Sequence, residues 1–166
     1  MTSQDLLIDA FGRIKEIVHE TVEGLGKEEL ASMPNEKGNS IAWLIWHLSR
    51  VQDSHFAELI GKEQVWLRDG WQENFKLSLD PNDTGYGHSI EQVRMVVSDE
   101  KSLIGYHDAV YKETIAFLKS LNDQDLEKVV DRNWDPPVTM AVRLISVISD
   151  DLQHAGQAAY VRGLIA

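Results

Sequence analysis

Leu7, Phe11, Ile14, Val18 and Val22 recur at three- and four-residue intervals near the start of the chain. That interval returns an apolar side chain to the same side of a helix at each turn, and so predicts an amphipathic helix from about Gln4 to Leu25. Gly24 and Gly26 end it. A second helix is framed by Ser40 as N-cap and Gly61 just past its end, with Leu44, Leu48, Val51, His55 and Leu59 on one stripe. Ser89 and Gln92 read as a capping box for a short helix, after which Ser98 restarts a long one from about Asp99 to Leu121. The last helix runs from about Thr139, a plausible cap, to Leu164. Residues 62–88 and the segment "DRNWDPPVT" read as loops, and no stretch shows the alternation of a half-buried strand. The expectation is an all-α, four-helix bundle formed by one domain over residues 1–166.

Composition narrows the function. Apolar residues make up 43 % of the 166, enough for a real core, and the net charge is −11. An acidic chain is poorly suited to nucleic acid, whose phosphates need a Lys/Arg surface, or to anionic membranes. With no cysteine there is no disulfide, no catalytic thiol and no thiolate metal ligand. The N-terminus lacks an apolar signal region and no apolar run approaches the roughly 20 residues of a membrane span. A cytoplasmic location is therefore expected.

The last helix carries a pattern that packing does not ask for. Arg143, Val147, Asp150, His154, Ala158 and Val161 share one side of it. Asp150 and His154 are one turn apart, so their tips converge as paired ligands do in helical metal motifs. A third ligand is needed from a facing helix, and His47, in "WLIWHLSR", lies beside the apolar stripe of the second helix. Two imidazoles and one carboxylate suit zinc, nickel or iron better than calcium or magnesium.

The other histidines give weaker signals. His19 is expected to face solvent, His55 to be a packed boundary residue, and His107 to lie in a polar patch at mid-helix. His88 sits in a Gly-rich loop from which a side chain can reach a cleft. A ferritin-like di-iron site needs two Glu-x-x-His pairs. Only Glu16 with His19 fits, and that pair reads as a solvated helix face.

Three segments, "GNSIAWLIWHLSRVQD", "GYGHSIEQV…LIGYHDAV" and "ISDDLQHAGQAAYVRGL", together resemble the DinB-like superfamily. The nearest branch is the actinobacterial one that includes mycothiol-dependent transferases and maleylpyruvate isomerase. "HAGQ" resembles the family's His-Arg-Gly-Gln signature, with Ala155 in place of Arg. The resemblance implies an up-down-down-up bundle, often a homodimer, with a divalent metal held at the positions of His47, Asp150 and His154. Many members have His where this chain has Asp150, and the isomerase branch has Glu; Asp is shorter, and Asp151 next door is the alternative ligand, although it lies ~100° further round the helix.

The resemblance further implies a thiol S-transferase, in which a low-molecular-weight thiol such as mycothiol attacks a small electrophile. In that picture Trp43, Arg50 and His88 contact substrate, Trp66 and Trp71 help to wall the cleft or pack in the core, Trp46 reads first as core, and Gln157 orients His154. Arg50 is equally placed for an ion pair with Asp53. The alternatives are a metal-dependent hydrolase with Asp151 as base, and a non-catalytic dimeric metal- or ligand-binding module.

Overall fold

The computed structural model describes residues 1–165; Ala166, the last residue of the expected domain, lies outside them. The elements in order are α1 (Ser3–Val22), α2 (Lys27–Ala31), α3 (Ile41–Ile60), α4 (Val65–Arg68), α5 (Trp71–Phe75), α6 (Ile90–Met95), α7 (Glu100–Leu118), α8 (Asp123–Leu126), β1 (Val129–Asp131), β2 (Val138–Thr139) and α9 (Met140–Ile165). The four long helices are those that the apolar spacing predicts. Their ends follow local chemistry. Ser40 Oγ accepts from Trp43 N at the start of α3, and Gly61 closes it in the left-handed conformation. Asp99 caps α7 by accepting from Ser102 N, and Thr2 and Asp5 form a capping box on α1.

Several short elements depart from expectation, among them the one-turn helices α2 and α8. The 62–88 segment holds the short helices α4 and α5, and a two-stranded antiparallel ladder joins β1 to β2 where no strand was expected. The ladder is too short for an alternation to show. Its backbone runs straight into α9, with Met140 N donating to Lys128 O.

The pairing of side chains gives the topology. Gln4 reaches the carbonyls of Leu118 and Leu121 while His19 meets Asp108, so α1 and α7 are antiparallel. Ser49 meets His107 and Gln52 meets Thr114, so α3 and α7 are parallel. Arg162 near the end of α9 bonds the carbonyls of Thr21 and Glu23 at the end of α1, which makes those two parallel. The order is therefore up-down-down-up, with α1 diagonal to α3. Leu7, Phe11, Ile14 and Val18 of α1 fill the centre with Leu44, Leu48 and Phe56 of α3, Leu103 and Val110 of α7, and Leu144 and Val147 of α9. Each fully buried aliphatic or phenyl group contributes about 1.5–3 kcal/mol. No described helix is long and apolar enough to cross a membrane.

His107 corrects the sequence reading. It is wholly buried, not set in a polar patch, and its Nδ1 lies 3.1 Å from Ser49 Oγ. Ser49 spends its own proton on Ile45 O, so His107 is the donor in that contact. Burial pushes its pKa down to about 4, and the ring is neutral.

Candidate metal centre

The antiparallel crossing of α3 and α9 brings His47, Asp150 and His154 together. One donor atom from each lies within 4.8 Å of the other two. His154 Nε2 is 3.7 Å from Asp150 Oδ1, and the His47 and His154 rings meet edge to face at 4.7 Å.

Hydrogen bonds aim both imidazoles. His47 Nδ1 donates to Thr84 O at 2.5 Å, and His154 Nδ1 donates to Gln157 Oε1 at 2.9 Å. In the neutral ring each leaves Nε2 with a free lone pair, the arrangement that metal-binding histidines adopt. Burial, partly offset by the Thr84 carbonyl, holds His47 below the ordinary histidine pKa, so the ring stays neutral as a ligand must. Asp150 Oδ2 is buried without a hydrogen-bond partner. An orphaned carboxylate oxygen beside two free imidazole nitrogens is the donor set a divalent cation would satisfy, and the residues fit such an ion. Asp151 does not join this group. It is wholly buried and neither of its carboxylate oxygens has a partner. Burial, then the neighbouring Asp150, raises its pKa well above the ordinary carboxylate value.

The loop behind His47 is tightly held. Arg50 is completely buried and donates to Gln64 Oε1 at 2.6 Å, Asp83 O at 3.2 Å and Pro81 O at 3.3 Å. Its guanidinium also stacks over Trp66. Asp83 accepts from Gly85 N and contacts His88 Nε2, both at 2.8 Å. Burial works against these contacts, yet the Asp83 pKa stays below its usual value. His88 Nδ1 accepts from Trp43 Nε1 at 3.0 Å, and Trp43 lies flat on His47 with ring centroids 4.6 Å apart. Gly85 makes this closeness feasible. Its φ is +89°, and a Cβ there would sit 2.8 Å from His47 Nδ1 and 2.9 Å from Trp46 Cζ3.

Trp43, Arg50 and His88 were expected to contact substrate. None of the three lines the cleft in front of the donor set: Arg50 and His88 hold the 81–88 loop, and Trp43 stacks on His47 and meets His154 edge to face at 6.1 Å. Trp46 and Trp66 are core residues, and Trp71 packs over Gly105. Gln157 reaches His154 as the spacing predicts.

In front of the donor set lies a cleft of about 400 Å³, with His47 and Asp150 at one end. Val51, Ser54 and His55 of α3 face Ser146 and Val147 of α9 across it, and Thr84 and Tyr86 of the loop complete it. At the other end Arg143 Nη1 lies 2.8 Å from His55 Nδ1 and Nη2 lies 2.9 Å from Asp131 Oδ2. Sequence reasoning missed Asp83, Thr84 and Gly85, and it gave His55 no place in the cleft. The signals were there: a Gly-flanked "DTGYG" loop, and Arg143 on the same helix side as Asp150 and His154.

No curated protein matches the chain. Among solved structures, the crystal structure of a conserved protein from Enterococcus faecalis is similar, at 33 % identity and a TM-score of 0.92, over 99 % of this chain and 98 % of that one. The likeness thus extends over the whole bundle that carries His47, Asp150 and His154. Residues 6–166 match the mycothiol S-transferase family, and the chain belongs to that family, in keeping with its DinB-like segments.

Proposed function

We propose that the protein is a divalent-metal-dependent thiol S-transferase, joining a low-molecular-weight thiol such as mycothiol to a small electrophile. The supporting observation is the oriented His47/Asp150/His154 donor set, of which His47 and Asp150 line a cleft of about 400 Å³. Zinc suits two imidazoles and one carboxylate best, with nickel or iron next. A divalent cation there would supply an electrophilic centre at which a thiol is held as the thiolate, the nucleophilic form. The chain's own residues set the stage. Thr84 O and Gln157 fix the two imidazoles, Trp43 keeps the His47 ring flat, and Val51 and Val147 give the cleft apolar walls. The chain has no cysteine, so the reacting sulfur comes from the substrate.

The hydrolase reading asks Asp151 to act as base. Asp151 is sealed in the core and so has no access to a substrate, and the transferase reading is preferred. Val142, Ile145, Leu152 and Tyr160 form an exposed apolar stripe along α9 that supports a homodimer. The acidic balance argues against a nucleic-acid partner, and the lack of cysteine supports a cytoplasmic location. The test is conjugation of chlorodinitrobenzene to mycothiol, and to mercaptoethanol as a minimal thiol, by zinc-loaded protein. Turnover above the uncatalysed rate, lost in His47→Ala and His154→Ala, is expected. Absence of any zinc- and thiol-dependent rate across a panel of epoxides, halides and activated alkenes would overturn the proposal.

A further inference from the structure

The far end of the cleft is a second recognition element that the proposed reaction does not use. A guanidinium can only donate, so the 2.8 Å contact with Arg143 Nη1 makes His55 Nδ1 an acceptor. The proton of the neutral ring is then on Nε2. That atom has no hydrogen-bond partner among the described residues, and its ring lines the cleft. His55 cannot be a further metal ligand in this state, because one nitrogen is engaged by Arg143 and the other carries the proton.

The surroundings say what Nε2–H would meet. The charge of Arg143 is already answered by Asp131 Oδ2 at 2.9 Å and Glu58 Oε2 at 3.4 Å. No surplus positive charge is left to attract an anion, and Asp150 adds negative charge at the other end. Ser146 Oγ donates to Val142 O, so only its lone pairs face the cleft, while Ser54 has no partner among the described residues. Burial, and then Arg143, lower the His55 pKa and oppose a charged ring. His55 lies eight residues along α3 from His47, about 12 Å by helical rise.

We propose that His55, held as its Nε2–H tautomer by Arg143, binds an uncharged oxygen acceptor of the ligand about 12 Å from the His47 end of the cleft. The occupant is then an elongated molecule with a neutral hydroxyl, ether or amide oxygen at its tail. This rests on the proposed function only for where the ligand's head is anchored.

The test uses protein with isotope-labelled histidine, and nuclear magnetic resonance resolves the rings. The Nε2–H tautomer of His55 at neutral pH is expected before any addition. Zinc should shift His47 and His154. Two uncharged thiols are then titrated: mercaptoethanol, which is too short to reach His55, and thiol-terminated tri(ethylene glycol), which is long enough. The long thiol alone should shift His55 Nε2. It should bind about fivefold more weakly to His55→Leu, as expected for loss of one hydrogen bond, and with unchanged affinity to His55→Gln, which keeps an N–H near that point. Mercaptoethanol should bind all three alike. An Nδ1–H or doubly protonated His55, or equal affinity of wild type and His55→Leu for the long thiol, would overturn the proposal. If zinc leaves His47 and His154 unmoved, the metal reading fails on its own. The tautomer, and the His55 shift with the long thiol, then decide this proposal separately.

Discussion

Gly85→Ala is the sharpest single perturbation of the loop that orients His47. The backbone there has φ +89°, where an L side chain is strained by about 1–2 kcal/mol. The new methyl would also lie 2.8 Å from His47 Nδ1, 2.9 Å from Trp46 Cζ3 and 3.3 Å from Trp43 Cζ2, all in rings fixed by packing. Overpacking of this kind costs about 1–3 kcal/mol more. Together these come to about 2–5 kcal/mol, or a fall in Tm of about 5–15 °C for a chain of this length. The loop relieves the clash by lifting, and in doing so withdraws Thr84 O from His47. Loss of such a contact weakens metal binding about 10–100-fold. Gly87→Ala is the control. Its φ is +73° and a Cβ there meets nothing within 4 Å, so it carries the strain without the clash. It should lower Tm by only about 2–6 °C and leave zinc affinity within about twofold. Thermal unfolding of the metal-free variants and competition for zinc against a chromophoric chelator measure the two effects. Wild-type zinc affinity in Gly85→Ala, or equal losses in the two variants, would refute the claim that the loop carbonyl aims the imidazole.

Other consequences follow from the buried ionisable groups. Asp151 carries a pKa raised above 3.8, so the fold loses stability as pH rises from that value. Asp151→Asn should therefore raise the neutral-pH Tm, by an amount that shrinks towards acid pH; an unchanged or lower Tm contradicts the assignment. His107 is depressed from 6.5 to about 4, so its contribution is complete above 6.5 and is lost as pH falls towards 4. That amounts to about 3 kcal/mol, and denaturant melts of wild type and His107→Asn should diverge across that window. Arg50→Leu strips the donors from Pro81 O and Asp83 O and leaves Asp53 without its cation, for a loss of about 3–5 kcal/mol by the same melts.

Much of this molecule is legible in its sequence because much of it is local. The caps at Ser40 and Ser89, the left-handed Gly61 and the four apolar stripes each depend on residues within a few positions of one another. The approach of Asp150 to His154 is likewise one helical turn. The position of His47 needed a guess about which helix faces α9; its place beside the apolar stripe of α3 suggested it, and family resemblance strengthened it. What was illegible is long-range. Arg50 meets the 81–83 backbone some thirty residues away through carbonyls, which any sequence can offer. Trp43 and His88 look like cleft residues in a list of aromatics, yet their hydrogen bond to each other turns both inward. His107 was misplaced because Tyr106 and Asp108 beside it look polar, although Leu103, Val110 and Thr114 share its buried side.

The proposed thiol transfer depends on His47, Asp150 and His154 holding a divalent ion. The most direct test is metal content per chain by plasma mass spectrometry on untagged protein, with His47→Ala and His154→Ala in parallel. Near-stoichiometric zinc, nickel or iron is expected in the wild type, and loss of it in both variants. A wild-type protein that is metal-free as purified and takes up none when zinc is added back would contradict the metal site.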